Sequence, residues 1–227
     1  MRETIAEAAR LGVQIGAHPS YPDPEGFGRR VLPLTPEQIT DSVAQQVDAL
    51  RVRARDQGAC VRHVKPHGAL YNAAGRERSV ADAIVAGIVR VDAGLALYAP
   101  HGSALAHAGA AAGLSVIAEG FLDRAYEDDG TLTPRGTAGA VLHDPVEASR
   151  RAVAWARTGE VVARSGRVLR LPIGTLCVHG DTPDAAAIAA SVRAALTGAG
   201  IRVAPSMMRN ASMQNVETIT WPSTLTH

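Results

Sequence analysis

Val61-Arg62-His63-Val64-Lys65-Pro66-His67-Gly68-Ala69-Leu70-Tyr71-Asn72 is the stretch from which the rest of this 227-residue chain is read. Val61 to Lys65 has the length of an ordinary strand, and two-residue alternation puts His63 and Lys65 on one face with Val64 on the other. Pro66-His67-Gly68 then breaks the run, so polar side chains collect at its carboxyl end. Lys65 is the only lysine; the other 22 of the 23 basic Lys and Arg residues are arginine. A lone compact ammonium in such a setting points to a task that the planar, permanently charged guanidinium does poorly.

Four more apolar runs read as buried strands: Val13 to Ala17, Leu95 to Ala99, Ser115 to Glu119 and Thr175 to His179. Helical period lies between them. Thr35-Pro36-Glu37-Gln38 supplies an N-cap, a first-turn proline and a capping-box glutamine ahead of Ile39, Val43, Val47 and Leu50 on one face. Helices are also expected to open at Ser79, at Asp144-Pro145 and at Thr182-Pro183, and a small-residue helix carries His107. A further helix, Arg2 to Leu11 with Ile5, Ala8 and Ala9 on a face, precedes the first strand. Strands alternating with helices predict βαβ units and a parallel sheet. Val161 to Leu171, around Ser165-Gly166, reads as an appended hairpin, and Ala204 to His227 as a polar, mobile tail.

With 46% apolar and 20% charged residues the composition is that of a globular domain, and a net charge of +1 gives no reason to expect nucleic acid or an anionic membrane as partner. Residues 93 to 118 lack Asp, Glu, Lys and Arg, but Pro100, His101, His107 and several glycines interrupt them, so they read as strand, loop, helix and strand rather than a span. Cys60 and Cys177 are far apart and the amino terminus has no apolar leader, which together predict a cytoplasmic protein.

The ionisable residues follow the apolar runs. The strand ends carry Ala17-His18-Pro19 with Asp23 close behind, Lys65-Pro66-His67, Pro100-His101, Glu119 followed by Asp123-Arg124, and His179-Gly180-Asp181. In a parallel α/β fold all strand carboxyl ends lie on one side, where active sites are built. Five runs therefore deliver His, Lys, Glu, Asp and Arg to one face. Cys177, His179 and Asp181 are expected to alternate inward together, as His63 and Lys65 do. His107, His143 and His227 are assigned no role. The sequence has no P-loop, no dinucleotide fingerprint, no nucleophile elbow and no H-E-x-x-H. Any divalent metal would have to be held from separate strand ends, with His18, His67, His179 and Asp181 as the donors available.

Gly16-Ala17-His18-Pro19-Ser20-Tyr21-Pro22-Asp23, Gly26 to Arg30, His63 to Asn72, Phe121 to Arg135 and Cys177 to Pro183 together closely resemble the LamB/YcsF family, over about residues 1 to 203. The resemblance implies one barrel-like domain over residues 1–203: a (β/α) barrel of the glycoside hydrolase/deacetylase class, seven-stranded in type. It also implies a component of an ATP-dependent 5-oxoprolinase that opens the 5-oxoproline lactam to L-glutamate with B and C subunits. Family members begin with an acidic D-L-N-x-D-x-G-E strand motif and a G-F-H-x-G-D motif, and this sequence has neither. A barrel lacking its first two strands is therefore expected, with self-association or a partner covering the opening. Catalysis would fall to Lys65, His67, His179 and Asp181, and substrate binding to His18, Asp23, Glu119, Asp123 and Arg124. Lys65 and Arg124 would hold carboxylate or phosphate oxygens, with His67, His179 and Asp181 moving protons. A stand-alone metal-dependent amidase or deacetylase, and a scaffolding subunit without activity, are the other readings compatible with these residues.

Overall fold

The structure, a computed structural model, describes residues 1–205; the expected tail beyond Pro205 lies outside the described residues. The elements run α1 (Arg2–Arg10), β1 (Ile15–Ala17), α2 (Pro36–Arg55), β2 (Val61–Val64), α3 (Gly68–Arg76), α4 (Arg78–Asp92), β3 (Ala96–Pro100), α5 (Ala104–Ala111) and β4 (Val116–Phe121). After these come α6 (Pro145–Thr158), β5 (Glu160–Val162), β6 (Val168–Arg170), β7 (Thr175–Cys177) and α7 (Ala185–Gly198). Five strands form one all-parallel sheet in the order β1-β2-β3-β4-β7. β5 and β6 make the separate antiparallel hairpin expected around Ser165-Gly166.

The helices form because their apolar stripes need the sheet and one another. Thr35 caps α2 in a complete capping box, and Ile39, Val43 and Val47 on that helix are buried. α2 packs on α4, which buries Ile84 and Ile88, and α6 packs on α7. Trp155 of α6 is fully buried, donates from Nε1 to the Leu171 carbonyl at 2.7 Å, and lies so close to Gly120 of β4 that a Cβ there would stand 2.7 Å from its ring. Glycine at 120 thus lets the helix reach the sheet.

The sheet curls. β2 and β7 are three strand spacings apart, roughly 14 Å in a flat sheet at about 4.7–4.9 Å per spacing, yet Lys65 Nζ at the end of β2 is 3.2 Å from Cys177 Sγ on β7. The interior of this parallel half-barrel is therefore concave at the strand carboxyl ends, an arrangement consistent with a (β/α) barrel. Among the described residues β1 and β7 are its edges.

Several expectations at element ends need correction. Thr182 does not cap α7: the helix starts at Ala185 after Asp184 in a left-handed conformation, and the Thr182 hydroxyl donates to Asp123 at 2.7 Å. The hydroxyl gives its proton to a buried carboxylate, and no side-chain oxygen accepts from the first N–H groups of α7. α4 opens at Arg78 rather than Ser79, and Ala9 of α1 is exposed while Ile5 is buried. β7 stops at Cys177, so His179 and Asp181 lie on a loop and do not continue its alternation. α3, which the sequence does not announce, begins directly after His67 and buries Ala69, Leu70, Tyr71 and Ala74.

The start of α3 is pressed onto the loop after β1. His67 N donates to the Pro19 carbonyl at 2.8 Å and Ala69 N to the Gly28 carbonyl at 3.0 Å. Gly68 has φ +60°, and a Cβ there would lie 2.5 Å from the Gly28 oxygen, whereas Gly75 of the same helix has open space around it. Gly68→Ala should destabilise the protein by at least about 2 kcal/mol through backbone strain and clash. Gly75→Ala should stabilise it by up to about 1 kcal/mol. Urea unfolding of the two variants checks the contrast.

Candidate active site

The strand ends surround a cleft of about 580 Å³ lined by His18, Lys65, His67, Glu119, Arg124 and His179, with residues 129–135 of the long β4–α6 connection forming its far wall. The side chains come from the ends of four strands, His18 after β1, Lys65 and His67 after β2, Glu119 and Arg124 in and after β4 and His179 after β7, which is why residues distant in sequence meet here.

Lys65 is central. Its ammonium lies 3.3 Å from Glu119 Oε1 and 3.2 Å from Cys177 Sγ, and 5.2 Å from the centroid of the Phe121 ring. Glu119 accepts a second bond from the Tyr71 hydroxyl at 2.9 Å. Burial opposes the lysine's charge, but the Cys177 sulfur and Glu119 beside it leave its pKa above that of an ordinary lysine. Burial pushes the Cys177 thiol up to about 12, so the sulfur stays protonated at neutral pH and the negative partner of Lys65 is Glu119. Burial also raises Glu119, against the pull of Lys65 and Tyr71.

Two residues beyond Cys177, His179 is organised by Asp123. One carboxylate accepts from His179 N at 3.0 Å, from His179 Nδ1 at 2.9 Å and from the Thr182 hydroxyl. With Nδ1–H fixed in this way, Nε2 is the ring atom left to act on a ligand, the arrangement of a carboxylate-oriented general base. Phe121 stacks on the imidazole, with centroids 5.5 Å apart. Burial works to raise the Asp123 pKa, but the bonds from His179 and Thr182 outweigh it and hold the carboxyl at about 2.

At the third corner, His18 Nδ1 faces the Lys65 carbonyl at 2.6 Å, His18 Nε2 faces His67 Nδ1 at 2.9 Å, and His67 Nε2 faces the Phe27 carbonyl at 2.9 Å. Desolvation, with Lys65 and His67 nearby, pushes His18 down to about 4, and desolvation lowers His67 as well. Arg124 donates to the Ala140 and Thr133 carbonyls and has Arg135 as a cationic neighbour, so its charge is not neutralised by a carboxylate bond.

The expected residues thus converge in large part, but several do so in other capacities. Asp23 does not reach this cleft: Arg30 takes its carboxylate through two nitrogens, Gly26 N donates to it, and it lines a neighbouring groove of about 440 Å³. Asp181 is bound by Arg29, which lowers its pKa and makes it a poor proton acceptor. Glu119 and Asp123 are occupied by protein donors rather than open to a substrate. Among the described residues no group of three or more His, Cys, Asp or Glu side chains could hold a metal ion. His18 Nε2 and His67 Nδ1 stand 2.9 Å apart, closer than the roughly 3.4 Å that separates two nitrogens bound at about 2.0–2.1 Å in a tetrahedral zinc site. Sequence reasoning gives no site role to Tyr71, Cys177, Thr182 or Arg29, although all four lie inside the motifs quoted above; their pairing partners are distant in sequence.

Fold and site together define a parallel α/β half-barrel protein with a cationic, histidine-bearing cleft at its strand carboxyl ends. The chain belongs to the LamB/YcsF family, whose model matches residues 1–211. It is 50% identical over 204 residues to the A subunit of 5-oxoprolinase from Methylococcus capsulatus, covering 90% of this chain and 78% of that protein. It is 48% identical to the corresponding A subunit from Heliobacterium modesticaldum, covering 89% of this chain and 80% of the relative. The crystal structure of a lactam utilization protein from Thermus thermophilus superimposes with a TM-score of 0.82 at 41% identity, over 89% of this chain and 83% of that one.

The depressed Asp123 pKa ties stability to acid. Because the folded value, about 2, lies below the ordinary 3.8, its contribution is complete above about pH 4 and is lost as pH falls toward 2. Asp123→Asn should cost about 2 kcal/mol at neutral pH. The gap between wild-type and variant urea-unfolding curves should close between pH 4 and pH 2; a gap independent of pH would show that the carboxylate's charge is not what matters.

Proposed function

We propose that this chain is the A component of an ATP-dependent 5-oxoprolinase that, with B and C subunits, hydrolyses the 5-oxoproline lactam to L-glutamate in the cytoplasm. The reading rests on one observation above the others: the Asp123-oriented His179 faces the same cleft as Lys65 and Arg124. A base and two cations on one small cavity suit an anionic substrate whose carbonyl must be attacked by water. The names of the relatives support the lactam as that substrate. Among the described residues no helix is long and apolar enough to cross a membrane.

An unstrained lactam resists attack because amide resonance stabilises its ground state. ATP, a co-substrate here, would transfer its γ-phosphoryl group to the amide oxygen with release of ADP, making that oxygen a better electron sink; C–N cleavage then leaves an acyl phosphate, which water hydrolyses to the glutamate carboxylate and phosphate. No glycine-rich P-loop occurs in the sequence, so the nucleotide is assigned to the assembled enzyme and its partner subunits. Arg124 and Lys65 hold carboxylate and carbonyl-derived oxygens, stabilising charge that develops in a partly desolvated site. His179 Nε2 takes a proton from water as its oxygen bonds to the carbonyl carbon. When the C–N bond breaks, the ring nitrogen takes up the proton that His179 received from water. Asp181 is left out of proton transfer and holds Arg29.

In the assembled enzyme Lys65→Arg should lower turnover at least about tenfold, since a fork-shaped guanidinium does not fit among Glu119, Tyr71 and Cys177. His179→Asn should lower it about a hundredfold or more. The assay is ATP-dependent glutamate release from 5-oxoproline, with and without B and C subunits. Wild-type rates in both variants, or no glutamate from the complete mixture, would overturn the proposal.

A further inference from the structure

The permanent cations that line the cleft are Arg29, Lys65, Arg76, Arg124 and Arg135. Lys65 is paired with Glu119 and Arg29 with Asp181. Arg76 faces Asp129, whose carboxyl is held below its ordinary pKa by bonds from Thr131 and, more weakly, by Arg76. Arg124 and Arg135 have no comparable partner. The carboxylates near them are already engaged: Asp123 accepts from His179 and Thr182, and Asp181 from Arg29.

Arg124 is 5% exposed, and two carbonyls aim its guanidinium: Nε donates to Ala140 at 3.3 Å and Nη2 to Thr133. Nη1 makes no bond among the described residues. The buried side-chain nitrogens that lack a partner there belong to His63 and Arg151, so Arg124 Nη1 is open to the cleft rather than sealed in the protein. The β4–α6 connection is folded to hold this arrangement. Ala125 N donates to the Ala140 carbonyl at 3.0 Å and Thr133 N to the Ala125 carbonyl at 3.0 Å. Thr137 N donates to the Pro134 carbonyl at 2.9 Å, which puts Arg135 in a turn on the same wall. Burial and the charge of Arg135 together lower the Arg124 pKa, so the fold holds two guanidiniums close enough to repel. An anion between them turns that repulsion into two charge-assisted attractions.

We propose that Arg124 and Arg135 form a phosphoryl-binding subsite on the far wall of the cleft, Arg124 through Nη1 and Arg135 through its exposed guanidinium. The choice of a phosphoryl group rests on the proposed function. A lactam carboxylate brings a single negative charge, whereas a phosphoryl group carries a charge of about −2 near neutral pH and offers three oxygens to forked donors. In the transfer step the amide oxygen forms a new bond to phosphorus, the bond from phosphorus to the bridging oxygen of ATP breaks, and ADP leaves with that electron pair. Arg124 thus meets the carbonyl-derived oxygen through the group attached to it. The pair keeps hold of that group through ring opening, until water hydrolyses the acyl phosphate. Only the transferred group is placed on this chain; the rest of the nucleotide stays with the partner subunits.

Phosphorus-31 NMR of acetyl phosphate mixed with the full chain tests the subsite without turnover. The resonance should shift or broaden, and Arg135→Gln should weaken binding at least about tenfold while 5-oxoproline binding changes less than about twofold. Arg135 is exposed and makes no side-chain bond among the described residues, so the variant should unfold in urea as the wild type does. Arg135→Lys should recover part of the affinity. ATP as competitor identifies the source of the group: displacement of acetyl phosphate puts the terminal phosphoryl of the nucleotide in the same subsite, and no displacement restricts it to the acyl phosphate. In the assembled enzyme Arg135→Gln should lower kcat at least about tenfold with the KM for 5-oxoproline little changed. Absence of acetyl phosphate binding in the wild type, equal binding by Arg135→Gln, or a loss confined to 5-oxoproline would overturn the subsite. Arg135-dependent phosphoryl binding without lactam hydrolysis by the complete mixture would sink the proposed function and leave the subsite standing; hydrolysis that Arg135→Gln leaves untouched would do the reverse.

Discussion

The buried ion pair between Lys65 and Glu119 is the interaction around which the cleft is organised. It joins the end of β2 to β4, and the same ammonium reaches Cys177 on β7, so one side chain spans the concavity of the sheet. Such a pair is costly, because two ions leave water and their attraction recovers that loss only when the remaining donors and acceptors are satisfied. Here Tyr71 satisfies the second Glu119 oxygen. The arrangement is better understood as a device for holding an ammonium at a defined point than as a source of net stability.

Other polar groups around the cleft are treated in the same way. Asp123 is occupied by His179 and Thr182, Asp181 by Arg29, and Asp23 by Arg30. The carboxylates that the sequence brings to the strand ends are thus already paired by protein donors. The groups left to meet a ligand are cations and imidazoles. A cleft with that balance attracts an anion and offers it bases, and the chemistry proposed for this chain follows from the balance more than from any one residue.

The loop after β1 shows how local strain and tertiary packing cooperate. Phe27 and Gly28 adopt left-handed conformations, and Gly68 does so at the facing start of α3. None of these conformations is favourable in an isolated peptide except for glycine. They persist because backbone bonds from His67 and Ala69 lock the two segments together. The result is a His67 ring held on two sides, by Phe27 and by His18.

Local pattern in the chain is enough to dictate the alternation of short apolar runs with capped amphipathic helices, and with it the gathering of His18, Lys65, Glu119, Asp123 and His179 on one side of a parallel sheet. That much follows from periodicity, since strand direction in βαβ units fixes which ends are neighbours. The hairpin at Ser165-Gly166 and the capping box at Thr35 are legible for the same reason: each is a pattern of a few adjacent residues. Which polar groups engage one another is settled in three dimensions instead. Thr182 reads locally as a helix cap yet serves Asp123, 59 residues away, and Asp23 reads as a strand-end ligand yet turns to Arg30. The physical reason is that such pairings depend on the curl of the sheet and the path of its loops, distances no local pattern encodes.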